Sequence, residues 1–249
     1  MEKEPAAELR SILITGASGG VGRALALACA RSGRFRKIVL NGGHDQAALA
    51  ETARLVQAAF CGANCVFSVG DAGDLEYVRQ LRRQYGPVDI LVNNAAVSWV
   101  GLLTDMEPEA WDQLIRTNLT SLYNTCHTYV PDMVKAGRGI ILNISSVWGL
   151  VGASCEVAYS ASKGAVNAFT RALAKELAPS HIRVNAAALG VVDTRMNSQL
   201  SPEEKENLRG EIPAGYIVSP EEAADALFRI LEMPEYLNGE IIRLDGAWI

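Results

Sequence analysis

The sequence predicts a single α/β domain built on a doubly wound parallel sheet of about seven strands. Short β-branched runs alternate with helix-length amphipathic stretches along the chain, the pattern of successive βαβ units. A glycine-rich turn joins the first such strand to the first helix. No linker, low-complexity segment or internal repeat divides the 249 residues, a length that one large domain fills while burying a substantial core.

The elements follow in order. After a polar tail over residues 1–10, residues 11–14 read as a strand and 21–30 as a helix. Strands at 37–40 and 65–68 are followed by helices at 47–59 and 75–85. The strand at 89–92 leads into one long helix at 109–128, and the strand at 140–144 into the helix at 159–177. Residues 183–185 and 240–244 supply the last two strands. Two late helices carry start signals, Ser201-Pro202-Glu203-Glu204 and Ser219-Pro220-Glu221-Glu222. Each offers a capping serine, a proline in the first turn and a capping-box glutamate. The first lies in the polar segment 193–215, expected near the carboxyl ends of the strands, where ligands bind in such sheets. That segment is expected to be a substrate lid.

Bulk properties exclude several classes. A net charge of −5 argues against a nucleic-acid binder, which would carry a basic patch. No apolar run approaches the ~18 residues of a membrane span. The start, Met1-Glu2-Lys3-Glu4-Pro5, is polar and acidic, unlike a targeting peptide, so a cytoplasmic protein is expected. The five cysteines include no Cys-x-x-Cys pair, and Cys61 and Cys65 lack His or Cys neighbours. They are expected to be buried free thiols, with no metal site.

Two motifs carry chemistry. In residues 12–22 the run Thr15-Gly16-Ala17-Ser18-Gly19-Gly20-Val21-Gly22 passes from strand to helix. Its glycines permit a tight turn and close backbone approach, and the helix N terminus presents free N–H groups to a diphosphate. The second motif is Tyr159 with Lys163, four residues apart on one helical face. An ammonium beside a phenol favours the phenolate, so the tyrosine pKa is expected to fall from its ordinary ~10, as a proton donor to a reacting carbonyl requires. Chance alone supplies about 0.2 such pairs in a chain with this many tyrosines and lysines, so the pair gains its weight from its surroundings.

The Thr-Gly-x-x-x-Gly-x-Gly spacing, Asp71, Asn93-Asn94-Ala95-Ala96, Asn118, Ser146, Tyr159-x-x-x-Lys163 and Asp193-Thr194 occur in one order from Ser11 to Ile249. In these the chain resembles the short-chain dehydrogenase/reductase family, whose members are single-domain Rossmann folds. The resemblance implies a cofactor site of Gly16, Ser18, Gly19, Gly20, Val21, Gly22, Asn41, Asp71, Asn93, Ala95, Tyr159, Lys163, Val192 and Thr194. Asp71 would meet the adenine amino group, Asn93 and its neighbours would back the cofactor, and Val192 and Thr194 would hold the nicotinamide carboxamide. An acidic residue about 20 residues beyond the glycines would select NADH by binding the ribose diol. The segment Asn41-Gly42-Gly43-His44 has none, and Asp45 reads as the cap of the next helix, so NADPH is expected. Family members that use NADP often carry a basic residue at the position of Gly19; here Arg23 and His44 are the candidate phosphate partners.

The resemblance further implies a reaction centre of Asn118, Ser146, Tyr159 and Lys163. Ser146 would bind the substrate carbonyl, Tyr159 would protonate it, and Lys163 would lower the tyrosine pKa and hold the nicotinamide ribose. Asn118 would open a helix backbone for a proton-relaying water. Among subfamilies the chain most resembles bacterial 3-oxoacyl-acyl-carrier-protein reductases, which implies NADPH-dependent reduction of a 3-oxoacyl thioester by a homotetramer. Two arginines that grip the carrier protein there fall on Gly137 and Ser180. The stretch 144–156 also resembles Firmicute reductases of the 5-aminopentanone group on a lysine of elongation factor P. There, Glu156 is placed to pair with a substrate ammonium and Trp148 to wall it. Two further readings stay open: an NAD-dependent alcohol or sugar dehydrogenase, and, from another class, a non-catalytic NADP-binding redox sensor. Sensors of this fold typically lose the reaction centre, and this chain keeps it.

Overall fold

Every strand of this protein is apolar at both odd and even positions, so its sheet must be covered on both faces. The computed structural model describes residues 10–198 and 200–249. Its seven strands are β1 (Arg10–Ile14), β2 (Phe35–Gly42), β3 (Asn64–Val69), β4 (Ile90–Asn93), β5 (Gly139–Ser146), β6 (Ile182–Leu189) and β7 (Ile241–Leu244). They pair in parallel in the order β3-β2-β1-β4-β5-β6-β7. The expected doubly wound α/β fold is the one observed. Residues 1–9, most of the expected tail, lie outside the described residues, and Arg10 already belongs to β1.

Alternate residues of each strand serve alternate faces. Ile12, Ile14, Ile38, Leu40, Ile90 and Val92 pack under α1 (Gly20–Arg31), α2 (Gln46–Ala59) and α9 (Pro220–Leu231). Leu13, Val39, Leu91, Ile141 and Val184 pack under α3 (Leu75–Tyr85), α5 (Ser121–Ala136) and α7 (Val157–Leu177). Arg183, buried in β6, caps α9 by donating to the Leu231 carbonyl at 2.6 Å and the Pro234 carbonyl at 3.2 Å. Strand order reverses between β1 and β4, and a crevice opens beyond their carboxyl ends, as in other open α/β sheets.

Three differences from the sequence reading bear on this crevice. The long helix expected at 109–128 is α4 (Pro108–Ile115), a π-helical turn at Arg116–Thr120, and then α5, which continues to Ala136 despite Pro131. Amphipathic spacing is nearly continuous through such a turn, so the sequence does not announce it. β5 extends through Ser146, and α6 (Trp148–Val151), which the sequence reading lacks, follows it at once. Both capping serines are as expected, and Ser201 and Glu204 form a reciprocal box opening α8 (Pro202–Glu211). At α9 Ser219 caps, but the Glu222 carboxylate accepts from the Tyr216 hydroxyl at 2.6 Å and does not complete the expected box.

Cys61 is exposed and Cys65 half-buried, contrary to the expected burial, because Cys61 precedes the edge strand β3 and Cys65 lies within it. All five cysteines are free. Among the described residues, no group of three His, Cys, Asp or Glu side chains could hold a metal ion, and no helix is long and apolar enough to cross a membrane.

Candidate active site

The crevice is a cleft of about 1070 Å³, and it gathers most of the residues expected from the sequence. Gly16, Ser18, Gly19, Gly20 and Val21 line it at one end, Asn41 and Asp71 lie nearby, and Ser146, Tyr159, Lys163 and Val192 also line it. Thr194 lies against the glycine turn, its Cγ2 3.1 Å from where a Cβ on Gly20 would be. Ala95 forms part of the cleft wall. Gly22, Asn93 and Asn118 are not on the surface of the cleft; they hold it from behind.

At the glycine end, the turn is fixed by contacts that leave no space for side chains at Gly16 and Gly22. Gly16 has φ +65°, and a Cβ there would stand 2.9 Å from Ala95 Cα. One at Gly22 would stand 2.4 Å from the Gly16 carbonyl oxygen. Asn94 stitches the turn to β4, its side-chain amide donating to the carbonyls of Thr15 at 2.9 Å and Gly16 at 3.1 Å. The N terminus of α1 has no side-chain cap, so its N–H groups face the cleft without a protein acceptor of that kind. An uncapped helix N terminus behind a close-packed glycine turn fits a diphosphate, and hence a dinucleotide.

Behind the wall runs a buried polar chain. Thr125 of α5 donates to Asn93 Oδ1 at 2.6 Å, Asn93 donates to Asn143 Oδ1 at 2.9 Å, and Asn143 donates to Thr170 of α7 at 2.9 Å. It ties both helices to β4 and β5, and each partner satisfies the next.

The π turn explains Asn118. Widening the helix there turns its carboxamide inward, where Oδ1 accepts from the Val97 N–H at 2.8 Å. Nδ2 donates to the Val97 carbonyl at 2.9 Å and to Ser162 Oγ at 3.0 Å. Asn118 thus fastens the loop after β4 to the helix bearing Tyr159 and Lys163. The same turn carries Arg116, which donates to Asp71 at 2.8 Å. Asp71 also accepts from the Gly73 N–H at 2.7 Å.

At the reaction end, Tyr159 is only 9% exposed and Lys163 only 3%. Burial pushes Tyr159 up to about 12 against the opposing hydrogen bond from Ser146, and the nearby Glu156 charge adds to the rise. Burial also pushes Lys163 down to about 8. These directions correct the expectation of a depressed tyrosine. Lys163 Nζ lies 5.6 Å from the Tyr159 ring centroid and donates to the Ile144 carbonyl at 2.8 Å, so its proton is engaged by backbone. Desolvation therefore dominates and shifts each group towards its neutral form, although a lysine at about 8 still carries its proton at neutral pH. The arrangement presents two hydroxyls, Ser146 and Tyr159, to one carbonyl-sized position, with a buried amine behind them.

Glu156 and Trp148 stand at the open end beside Tyr159. The Trp148 indole hydrogen-bonds the half-buried Glu156 carboxylate, whose pKa is nevertheless raised because burial outweighs that bond. Trp148 packs on Trp248 with centroids 4.9 Å apart. Trp248, four residues beyond β7, had no sequence signal to mark it.

The NADP candidates divide. Arg23 donates to Thr52 at 2.9 Å, to the Ser18 carbonyl at 2.7 Å and to the Ala48 carbonyl at 3.0 Å, so it braces the turn rather than lining the cleft. This corrects its expected role, because its Nε and Nη2 donors are bound within the fold and the side chain does not line the cleft. His44 lines the cleft. Asp45 caps α2 as expected, accepting from the Ala48 N–H at 2.9 Å.

Residues 10–205 match the family model described as short chain dehydrogenase. The chain is 39% identical over 241 residues to the uncharacterized oxidoreductase YmfI of Bacillus subtilis, covering 96% of this chain and 98% of that protein. It is 35% identical to the 3-oxoacyl-[acyl-carrier-protein] reductase of Thermotoga maritima, covering 95% of this chain and 96% of that one. The solved 3-oxoacyl-[acyl-carrier protein] reductase of Brucella melitensis superimposes with a TM-score of 0.89 at 30% identity, covering 99% of this chain and 94% of the other.

Proposed function

The chain belongs to the short chain dehydrogenase family, and from that premise we propose that it reduces a ketone with NADPH, Tyr159 delivering the proton. Its class is that of NAD(P)-dependent oxidoreductases with carbonyl-reducing chemistry. The observation that carries the reading is the Tyr159–Ser146 hydroxyl pair at the far end of the cleft whose near end is the glycine turn.

When bound, the nicotinamide supplies a hydride. Ser146 hydrogen-bonds the substrate carbonyl oxygen and steadies the charge that develops on it. Tyr159 donates its phenolic proton to that oxygen, giving the alcohol. Lys163 holds the nicotinamide ribose and restores the proton, and Asn118 keeps the π turn open behind it. The uncapped α1 terminus with Gly16, Ser18, Gly19, Gly20 and Val21 binds the diphosphate, and Val192 and Thr194 bind the carboxamide. Asp71 reaches the adenine with the oxygen capacity that Arg116 and Gly73 leave it. Residues 193–215, which carry α8 with Glu204 and Leu208 on the cleft, act as the substrate lid.

Two ketones follow from different observations. The names of the relatives support a 3-oxoacyl thioester. Glu156 supports an amine-bearing ketone, such as the 5-aminopentanone group on elongation factor P. No basic side chain among the described residues pairs with this half-buried carboxylate, and an incoming ammonium would offset the desolvation of its charge. Glu156 separates the two readings and favours the second. A homotetramer is also proposed, supported by exposed Trp111, Tyr123 and Val134 on α4 and α5; light scattering tests it.

The test is NADPH consumption with an acetoacetyl thioester, an amine-bearing pentanone and a neutral pentanone, using Tyr159→Phe as the blank. Turnover abolished by Tyr159→Phe supports the mechanism, and faster turnover of the amine-bearing ketone supports the second substrate. NADPH binding without turnover of any ketone would favour a sensor and overturn the catalytic reading.

A further inference from the structure

Carboxylates are sparse where β1 and β2 deliver the chain to the cleft, and one guanidinium arrives there from a distant part of the sequence. Arg195, in the first turn of the segment after β6, lines the cleft with its side chain 78% exposed. Its Nη2 stands 3.6 Å from where a Cβ on Gly19 would lie and 3.7 Å from Asp45 Oδ2. The guanidinium therefore bridges the β1–α1 turn and the N-terminal cap of α2, the two places between which the adenosine ribose lies in an open α/β sheet. Asp45 is its single ion-pair partner among the described residues, and that pair is long and exposed, so it holds Arg195 only weakly. Asn41, at the end of β2, is neutral, and its amide is spent on the Gly70 carbonyl and Tyr77 hydroxyl, both at 3.0 Å. Arg23 is spent inside the fold. Arg195 is thus the guanidinium left facing this corner with donors to spare.

We propose that Arg195 selects NADPH by binding the 2′-phosphate, supplying from the β6 segment the positive charge that the glycine turn lacks. The inference rests on the NADPH reading above and deepens it. A guanidinium matches a phosphate through parallel N–H donors, which a neutral side chain cannot do.

Direct binding tests this without turnover. NADPH and NADH are titrated by fluorescence into the wild type, Arg195→Gln, and Arg195→Gln combined with Gly19→Arg. Gly19 has extended backbone, φ −174°, and space for a side chain once Arg195 is shortened, so the double variant returns a cation to the same corner. Arg195→Gln is expected to weaken NADPH about 10- to 100-fold and leave NADH within about twofold, and the double variant to regain most of the loss. A wild type that prefers NADPH, with Arg195→Gln keeping that preference, would overturn the role of Arg195 alone. A wild type that binds NADH as tightly as NADPH would overturn the NADPH reading and this role with it.

Discussion

Gly149 lies flush against Lys163: a Cβ at Gly149 would stand 2.6 Å from the Lys163 carbonyl carbon and 2.8 Å from Lys163 Cβ. α6 is thereby pressed onto α7 at the residue that carries the buried amine. Gly149→Ala must push α7 away, and overpacking of this kind costs roughly 1–3 kcal/mol. Both the melting temperature and turnover are expected to fall, whereas Gly137→Ala, with nothing within 4 Å and away from the cleft, moves only stability through its positive φ. An unchanged melt and rate for Gly149→Ala would contradict the close packing.

Lys163 gives a pH signature. Its ordinary pKa of 10.5 falls to about 8 on folding, so between those values the unfolded chain holds a proton that the folded chain has lost. Stability of the cofactor-free protein therefore gains a contribution that rises with pH through that window and is absent below it. Tyr159, raised from 10.0 to about 12, pulls the other way above pH 10, so the clean window ends there. Lys163→Met, neutral at every pH, should lack this rise, a difference on the order of 1–3 kcal/mol in urea unfolding. Parallel stability curves for the two proteins would refute it.

Glu156→Gln keeps the shape of the substrate end and removes the charge. It should lower kcat/KM for an amine-bearing ketone roughly tenfold and leave a neutral ketone of the same length unchanged. Because burial raises the Glu156 pKa above 4.5, the wild-type preference for the amine should weaken from above that pH as the medium is acidified. Equal losses on both ketones would show that Glu156 acts on packing and not on charge.

Asn118→Ala removes three hydrogen bonds and takes the side-chain partner from both the N–H and the carbonyl of Val97. The expected destabilisation is roughly 1–3 kcal/mol, read by thermal melting. Turnover measured well below the melt should fall further than NADPH affinity, because the loop and α7 are released from each other while the glycine turn is untouched. Equal falls in both would make Asn118 a brace for the whole cleft.

Much of this protein is legible along the chain because the relevant physics is local. Alternation within strands set both faces of the sheet, as Ile12 and Leu13 show by pointing into different cores. Helix starts at Ser201 and Ser219 follow from capping chemistry within four residues. The glycine turn, and Tyr159 one helical turn from Lys163, are likewise patterns of short spacing.

Other features join residues that only the fold brings together. Arg195 meets the glycine turn because β6 and β1 deliver their carboxyl ends to one crevice, and Trp248 meets Trp148 for the same reason at β7 and β5. The direction of the Tyr159 and Lys163 shifts also escaped the sequence, since adjacency on a helix face fixes distance but not desolvation. By itself, then, the sequence determined the architecture and nominated the reaction centre through local spacing. The tertiary structure decided burial, which sets the protonation of these groups, and long-range proximity, which sets their partners.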